Sequence, residues 1–235
     1  SHYTTRELNA MMPPADGHAS LAGYRTLGQF RSAEIVIKRS RFIGWGSPVE
    51  TEEEALAVLN RIRTEHPQAT HHCYAYRVGL GTETIRFSDD GEPGGTAGRP
   101  ILEVLQREDL RNALIVVTRY FGGTLLGAAG LVRAYTQAAK LAVDACGVVR
   151  QMPHARIKVV LDYEWVGKVQ HWLQQEGAIL ENTEYGAQAA FQFLVPQSRA
   201  EHVRETLQEM TNGRAKPEVL AELYWPVPEE TGTAE

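Results

Sequence analysis

The chain has 235 residues, 43% of them apolar and 23% charged, which is enough for two modest domains or one with a sizeable core. No apolar run approaches the roughly 18 to 20 residues that cross a bilayer, and no basic stretch followed by an apolar core opens the chain, so neither a membrane span nor a signal peptide is expected and a cytoplasmic location is. The net charge of −5 argues against nonspecific coating of nucleic acid, but residues 24–150 hold 16 Lys+Arg against 14 Asp+Glu while residues 151–235 hold 7 against 13, so an anionic partner is expected to meet the first half.

Residues 1–23 lack periodicity and carry Pro13-Pro14, and a disordered arm is expected there. Residues 24–27, 33–38 and 41–49 read as short strands, the last two joined by the basic turn Lys38-Arg39-Ser40-Arg41. Thr51 and Glu54 fit a capping box ahead of a helix with the apolar stripe Ala55, Leu56, Leu59, Ile62, which must stop before Pro67. Strands are expected at 70–78 and 84–88 around Gly79-Leu80-Gly81, then a short helix opened by Arg99-Pro100 and ending near Glu108. The run 113–118 is apolar throughout, as in a strand buried on both faces. From 125 to 145 the pattern is helical, with one polar stripe, Arg133, Gln137, Lys140 and Asp144, and Gly147 as its stop. After a linker at 150–154, the second half reads as strand 155–161, helix 164–176, a hairpin of 178–185 and 189–195 around Gly186, helix 198–210 with a capping box of Ser198 and Glu201, and strand 219–225, followed by a disordered tail over 226–235. That order is βαββαβ, the ferredoxin-like unit. The expectation is therefore an α/β chain of two domains, 24–150 and 155–225.

The densest chemistry lies between Phe87 and Asp144. A loop holding Asp89, Asp90, Glu92, Gly94, Gly95, Thr96 and Gly98 precedes Arg99, and a second glycine loop, Gly122-Gly123, follows Arg119 between a strand and a helix. Glycine leaves backbone N–H groups bare, so two such loops beside helix starts suggest a site for an anion or a phosphate backbone. The three acids suit either a divalent cation and acid–base chemistry or the capping of turns and of the following helix, with capping preferred. Neighbours on a strand point to opposite faces, so His71 and Cys73 share a face that His72 does not; no metal site and no cofactor are expected. Cys73 and Cys146 are expected to be reduced and packed. Arg119 has two compatible readings, a buried bridge to Asp89, Asp90 or Glu92, and a contact with phosphate or an acidic protein.

The segments Arg39-Ser40-Arg41-Phe42, His71-His72-Cys73, Phe87 through Gly98, and Val117 through Gly123 with Leu126-Gly127 resemble the YigZ/Impact family. The likeness rests on motifs over about 24–150 and on arrangement over 155–225. It implies a first domain similar to the second domain of ribosomal protein S-five and a second similar to the ferredoxin-like C-terminal domain of elongation factor G. Eukaryotic members join an RWD domain to the first module and restrain an amino-acid-starvation kinase through its activator; no RWD-like segment is seen here, so that partner does not carry over. Both modules occur in ribosome-associated proteins, which suggests a non-enzymatic regulatory or binding protein acting near translation. RNA or a ribosome-associated factor is its expected partner. Arg119, Gly122, Gly123, Gly94, Gly95, Thr96, Arg99, Asp89, Asp90, Glu92 and His72 are its candidate binding residues. The opposing reading is a hydrolase working at Asp89, Asp90 and His72.

Overall fold

The alternation of side chains across a strand decides how the first half is layered. In the computed structural model, which describes residues 23–229, β6 (Ala113–Tyr120) lies between β3 (Ser40–Pro48) and β4 (His71–Val78). The sheet is completed by β2 (Arg31–Ile37) outside β3 and β5 (Thr84–Ser88) outside β4, every neighbour antiparallel. Ile115 and Val117 turn to one face with Phe42, Cys73 and Ala75, beneath α2 (Gly98–Arg107) and α3 (Gly127–Cys146). Leu114 and Val116 turn to the other with Tyr76 and Val78, where α1 (Glu52–Glu65) supplies Ala55, Leu59 and Ile62. β6 is thus buried on both faces, which is why its apolar run does not alternate.

Local signals hold well here. The Thr51 hydroxyl accepts from Glu54 N at 3.1 Å, although Glu54 reaches back to Glu50 N at 2.7 Å rather than to the cap residue itself. Arg133, Gln137, Lys140 and Asp144 form the exposed stripe of α3, and Ala134, Tyr135, Ala138 and Ala142 its buried side. That side comes so close to β3 that a Cβ on Gly44 would lie 2.3 Å from the Ala138 carbonyl oxygen, so only glycine fits. Cys73 and Cys146 are buried free thiols, and burial pushes Cys146 up to about 11.

The chain divides into two compact units, Tyr24–Arg150 with the described residues 227–229, and Gln151–Pro226. In the second, β10 (Glu218–Pro228), β7 (Val148–Leu161), β9 (Ala189–Pro196) and β8 (Ile179–Tyr185) lie side by side in that order, which in chain order is the 4-1-3-2 arrangement of the ferredoxin-like βαββαβ unit. Helices α4 (Tyr163–Gln175) and α5 (Ala200–Met210) bring Val169, Leu173, Val203 and Leu207 onto Ile157, Val159, Phe191 and Phe193. β1 (Tyr24–Leu27) pairs with β7, and Gly28 N donates to the Gly147 carbonyl at 2.9 Å.

Three expectations are corrected. No loop occupies 150–154: β7 runs through it unbroken, and Gln151, Pro153 and His154 are buried. The tail does not start at Pro226, because β10 continues to Pro228 and Arg25 Nε reaches Glu229 at 2.5 Å. Ser198 does not cap α5, since 197–199 form a 3-10 turn and the cap position falls to Arg199. The arm expected over residues 1–22 lies outside the described residues. Limited proteolysis is therefore expected to spare residues 150–154, since nicking concentrates in exposed, locally unfolded segments and this stretch is strand. Early cleavage within 150–154, read by mass spectrometry of the fragments, is the contrary result.

Candidate functional site

The β2–β3 turn, the loop after β5 and the loop after β6 all leave the same end of the first unit's sheet, because its neighbouring strands are antiparallel. There Phe42, Arg119 and His71 stand opposite one another on three adjacent strands. The loop 89–97 folds back over them.

Its first acid is consumed locally. Asp89 accepts from the N–H groups of Gly95, Ala97 and Gly98 at 3.0, 3.2 and 2.8 Å, so the start of α2 already holds an anion belonging to the chain itself. Asp90 sits at φ 38°, in the left-handed region that Asp tolerates; its carboxylate accepts from His72 N and its carbonyl from His71 Nδ1, both at 2.8 Å. Thr96 is buried and closes the turn by donating to the Pro93 carbonyl at 2.5 Å.

Glu92 turns inward. Arg119 Nη1 lies 2.8 and 3.0 Å from its two carboxylate oxygens, and the side chains of the pair are only 6% and 3% exposed. His71 Nε2 lies 2.6 Å from the same carboxylate. With Nδ1 on the Asp90 carbonyl, His71 faces two acceptors and satisfies both only when it carries two protons. The guanidinium also donates to Ser40 Oγ at 3.3 and 3.2 Å and lies 5.4 Å from the ring centres of Phe42 and Phe121. Ser40 Oγ accepts from Gly122 N at 3.3 Å as well, which pins the second glycine loop to the cluster. Beneath it the Tyr135 hydroxyl lies beside the Cys73 thiol, and burial pushes both groups well above their ordinary ranges. Cys73 donates to the Asp89 carbonyl at 3.0 Å.

The opposite face of β4 and β6 carries a separate chain of hydrogen bonds. Trp45 Nε1 donates to Thr118 Oγ1 at 3.2 Å, Thr118 Oγ1 lies 2.9 Å from His72 Nδ1, and His72 Nε2 lies 3.1 Å from the His66 carbonyl. A carbonyl only accepts, so Nε2 carries a proton, whereas the Thr118 hydroxyl can serve Nδ1 as donor or as acceptor. Burial lowers the pKa of His72, opposed less strongly by the His66 carbonyl and Asp90 and reinforced by Arg63; burial does the same to His154. In an unfolded chain histidine titrates near 6.5, so below that pH the unfolded state binds more protons than the native state and stability falls as pH falls. Urea midpoints between pH 7.5 and 5.5 are expected to drop for the wild type and to drop less for His72→Gln. Parallel curves for the two proteins exclude His72 as a source of the effect.

Asp89, Asp90, Glu92, Arg119 and Gly122 converge, and the acid that Arg119 braces is Glu92 rather than Asp89 or Asp90. Gly94, Gly95 and Gly123 are exposed on the two loops, with Gly123 at φ +83°. The exposed Arg99 stacks over Phe87 at 5.7 Å. His72 is a correction: strand alternation turns it away from the glycine loops into the second network, and His71 takes its place. Ser40 was not anticipated, for nothing in its own neighbourhood signals that it will meet Arg119. Among the described residues no group of three or more His, Cys, Asp or Glu is placed to hold a metal ion.

Residues 38–143 match the model of the Impact N-terminal domain, and residues 159–214 match a domain of unknown function, DUF1949. The chain is 38% identical over 195 residues to the Bacillus subtilis Impact family member YvyE, covering 83% of this chain and 90% of the relative. It is 33% identical over 179 residues to the Escherichia coli Impact family member YigZ, covering 75% and 88%. The Danio rerio protein Impact shares 38% over 96 residues, or 40% of this chain and 30% of that one. A crystal structure titled as an hypothetical protein superimposes with a TM-score of 0.56 at 29% identity, covering 85% of this chain and 98% of the other.

Proposed function

Because the chain belongs to the Impact family, we propose that it is a non-enzymatic regulatory protein that binds RNA or a ribosome-associated factor near translation, through the loop end of its first unit. The observation that carries this reading is how the reactive groups are used. Asp89 is filled by three N–H groups, Glu92 by Arg119 and His71, Ser40 by Arg119 and Gly122, and both ring nitrogens of His72 by Thr118 and His66. A hydrolase at Asp89, Asp90 and His72 needs a carboxylate and an imidazole converging on an open site, and these lie on two faces with their polar atoms engaged. What remains at the surface of this end is recognition chemistry. Gly94, Gly95 and Gly123 present backbone, and Lys38, Arg39 and Arg99 are exposed cations.

Salt-titrated binding of a labelled RNA pool tests the reading. Lys38→Glu/Arg39→Glu is expected to weaken binding and to reduce the dependence of log K on log salt by about two phosphate contacts. Gly123→Val is expected to weaken it by crowding backbone approach. Absence of binding by the wild type in low salt, to RNA and to isolated ribosomes alike, overturns the proposal.

A further inference from the structure

On the α1 side of the first unit's sheet, a line of rings crosses from the last turn of α1 to the end of β6. Phe30 stacks on Trp45 with centroids 5.9 Å apart and planes at 13°. Trp45 meets His66 at 5.5 Å, and His66 meets Tyr120 at 5.9 Å. A guanidinium closes each end: Arg61 lies 5.2 Å from the centre of Phe30, and Arg41 5.2 Å from the centre of Tyr120. All four rings are half-buried and both arginines are exposed. The polar edges are tied down, with Trp45 Nε1 on Thr118 and His66 Nδ1 2.7 Å from the Tyr120 hydroxyl. The guanidiniums are steadied by Glu34 and Glu65. Helix α1 covers the β4 and β6 part of this face, and over β2 the sheet is open, with Val36 65% exposed.

We propose that this strip takes single-stranded RNA by stacking bases against its rings, the arginines meeting the flanking phosphates. The proposal rests on the reading that the protein binds RNA, and gives that binding a second surface on the far side of β6 from the Glu92 cluster. Charge and geometry together select the occupant. A row of rings fixed in orientation with a guanidinium at each end offers aromatic surface and cations together, the combination by which strands are held without reading sequence. A purely apolar partner has no use for a guanidinium at each end. Arg63, near enough to His72 to disfavour its protonation, adds a third cation against the two glutamates. The excess is small, so stacking supplies most of the affinity and its salt dependence is shallow.

Fluorescence anisotropy with a labelled twelve-nucleotide oligouridine and a duplex of equal length tests this, with urea midpoints checking each fold. The wild type is expected to prefer the single strand. Tyr120→Leu should weaken that binding about tenfold with its salt slope unchanged, and Arg61→Glu, a surface change on α1 that leaves the rings intact, should weaken it similarly. Affinities equal to wild type in both variants, with binding still sensitive to the Lys38 and Arg39 changes, overturn the strip and leave the broader reading standing. No binding of RNA by the wild type overturns both. Binding of decaproline at the strip without any single-strand preference makes it a peptide groove and overturns RNA as its occupant.

Discussion

Arg119→Ala is expected to lower stability by about 3 to 5 kcal/mol, the cost of leaving one partner of a buried ion pair without the other. The pair is almost wholly removed from water, so solvent does not stand in for the lost guanidinium. Glu92 keeps only His71, Ser40 loses two donors, and the two phenylalanine rings lose the cation between them. Arg119→Lys should recover part of the loss, because an ammonium meets Glu92 but does not also bridge to Ser40 as a planar fork does. The midpoint of urea unfolding measures both. An unchanged midpoint in Arg119→Ala shows that the arginine is not a brace, and a loss of RNA binding in that same stable protein reassigns it to ligand contact.

Gly122→Val is expected to cost about 3 kcal/mol, at the upper end of what overpacking a tight site does. A Cβ at 122 would stand 2.1 Å from the Arg39 carbonyl oxygen, a backbone atom that cannot swing aside. The second glycine loop and the β2–β3 turn must therefore separate, and with them the Gly122 N–H bond to Ser40. Gly123 is the control. Nothing lies within 4 Å of a Cβ there, and only its φ of +83° is strained by a side chain, so Gly123→Val should cost about 1 to 2 kcal/mol. Equal midpoints for the two variants would falsify the view that Gly122 is a packing glycine and Gly123 a surface one.

What was legible in the sequence was whatever depends on neighbours along the chain. The 3.6-residue stripe of α3, the Thr51 cap, the non-alternating run of β6 and the βαββαβ order of the second half are all local patterns, and all are present. Alternation also separated His71 and Cys73 from His72, although His72 was then carried into the wrong site. The partner of Arg119 was narrowed to three acids and no further, since the choice of Glu92 depends on Asp89 being taken by N–H groups up to nine residues on and Asp90 by the β4 backbone. Ser40 and the strip from Phe30 to Tyr120 were out of reach for the same reason. They are assembled by strand register, which pairs residue 41 with 120 and 45 with 116, and no local rule contains that. The supposed linker failed differently: Arg150 to His154 has mixed polarity and a proline, yet it is the middle of a fourteen-residue strand.

Arg25 gives the first unit an unusual order of completion. It binds the Glu108 carbonyl within its own unit, and then Glu229, a residue 204 positions further along. On a ribosome, synthesis at about 5 to 20 residues per second separates the appearance of Glu108 from that of Glu229 by about 6 to 24 seconds. The first unit therefore waits in a nearly finished form, its earliest strand still short of one clasp, until the whole of the second has been made.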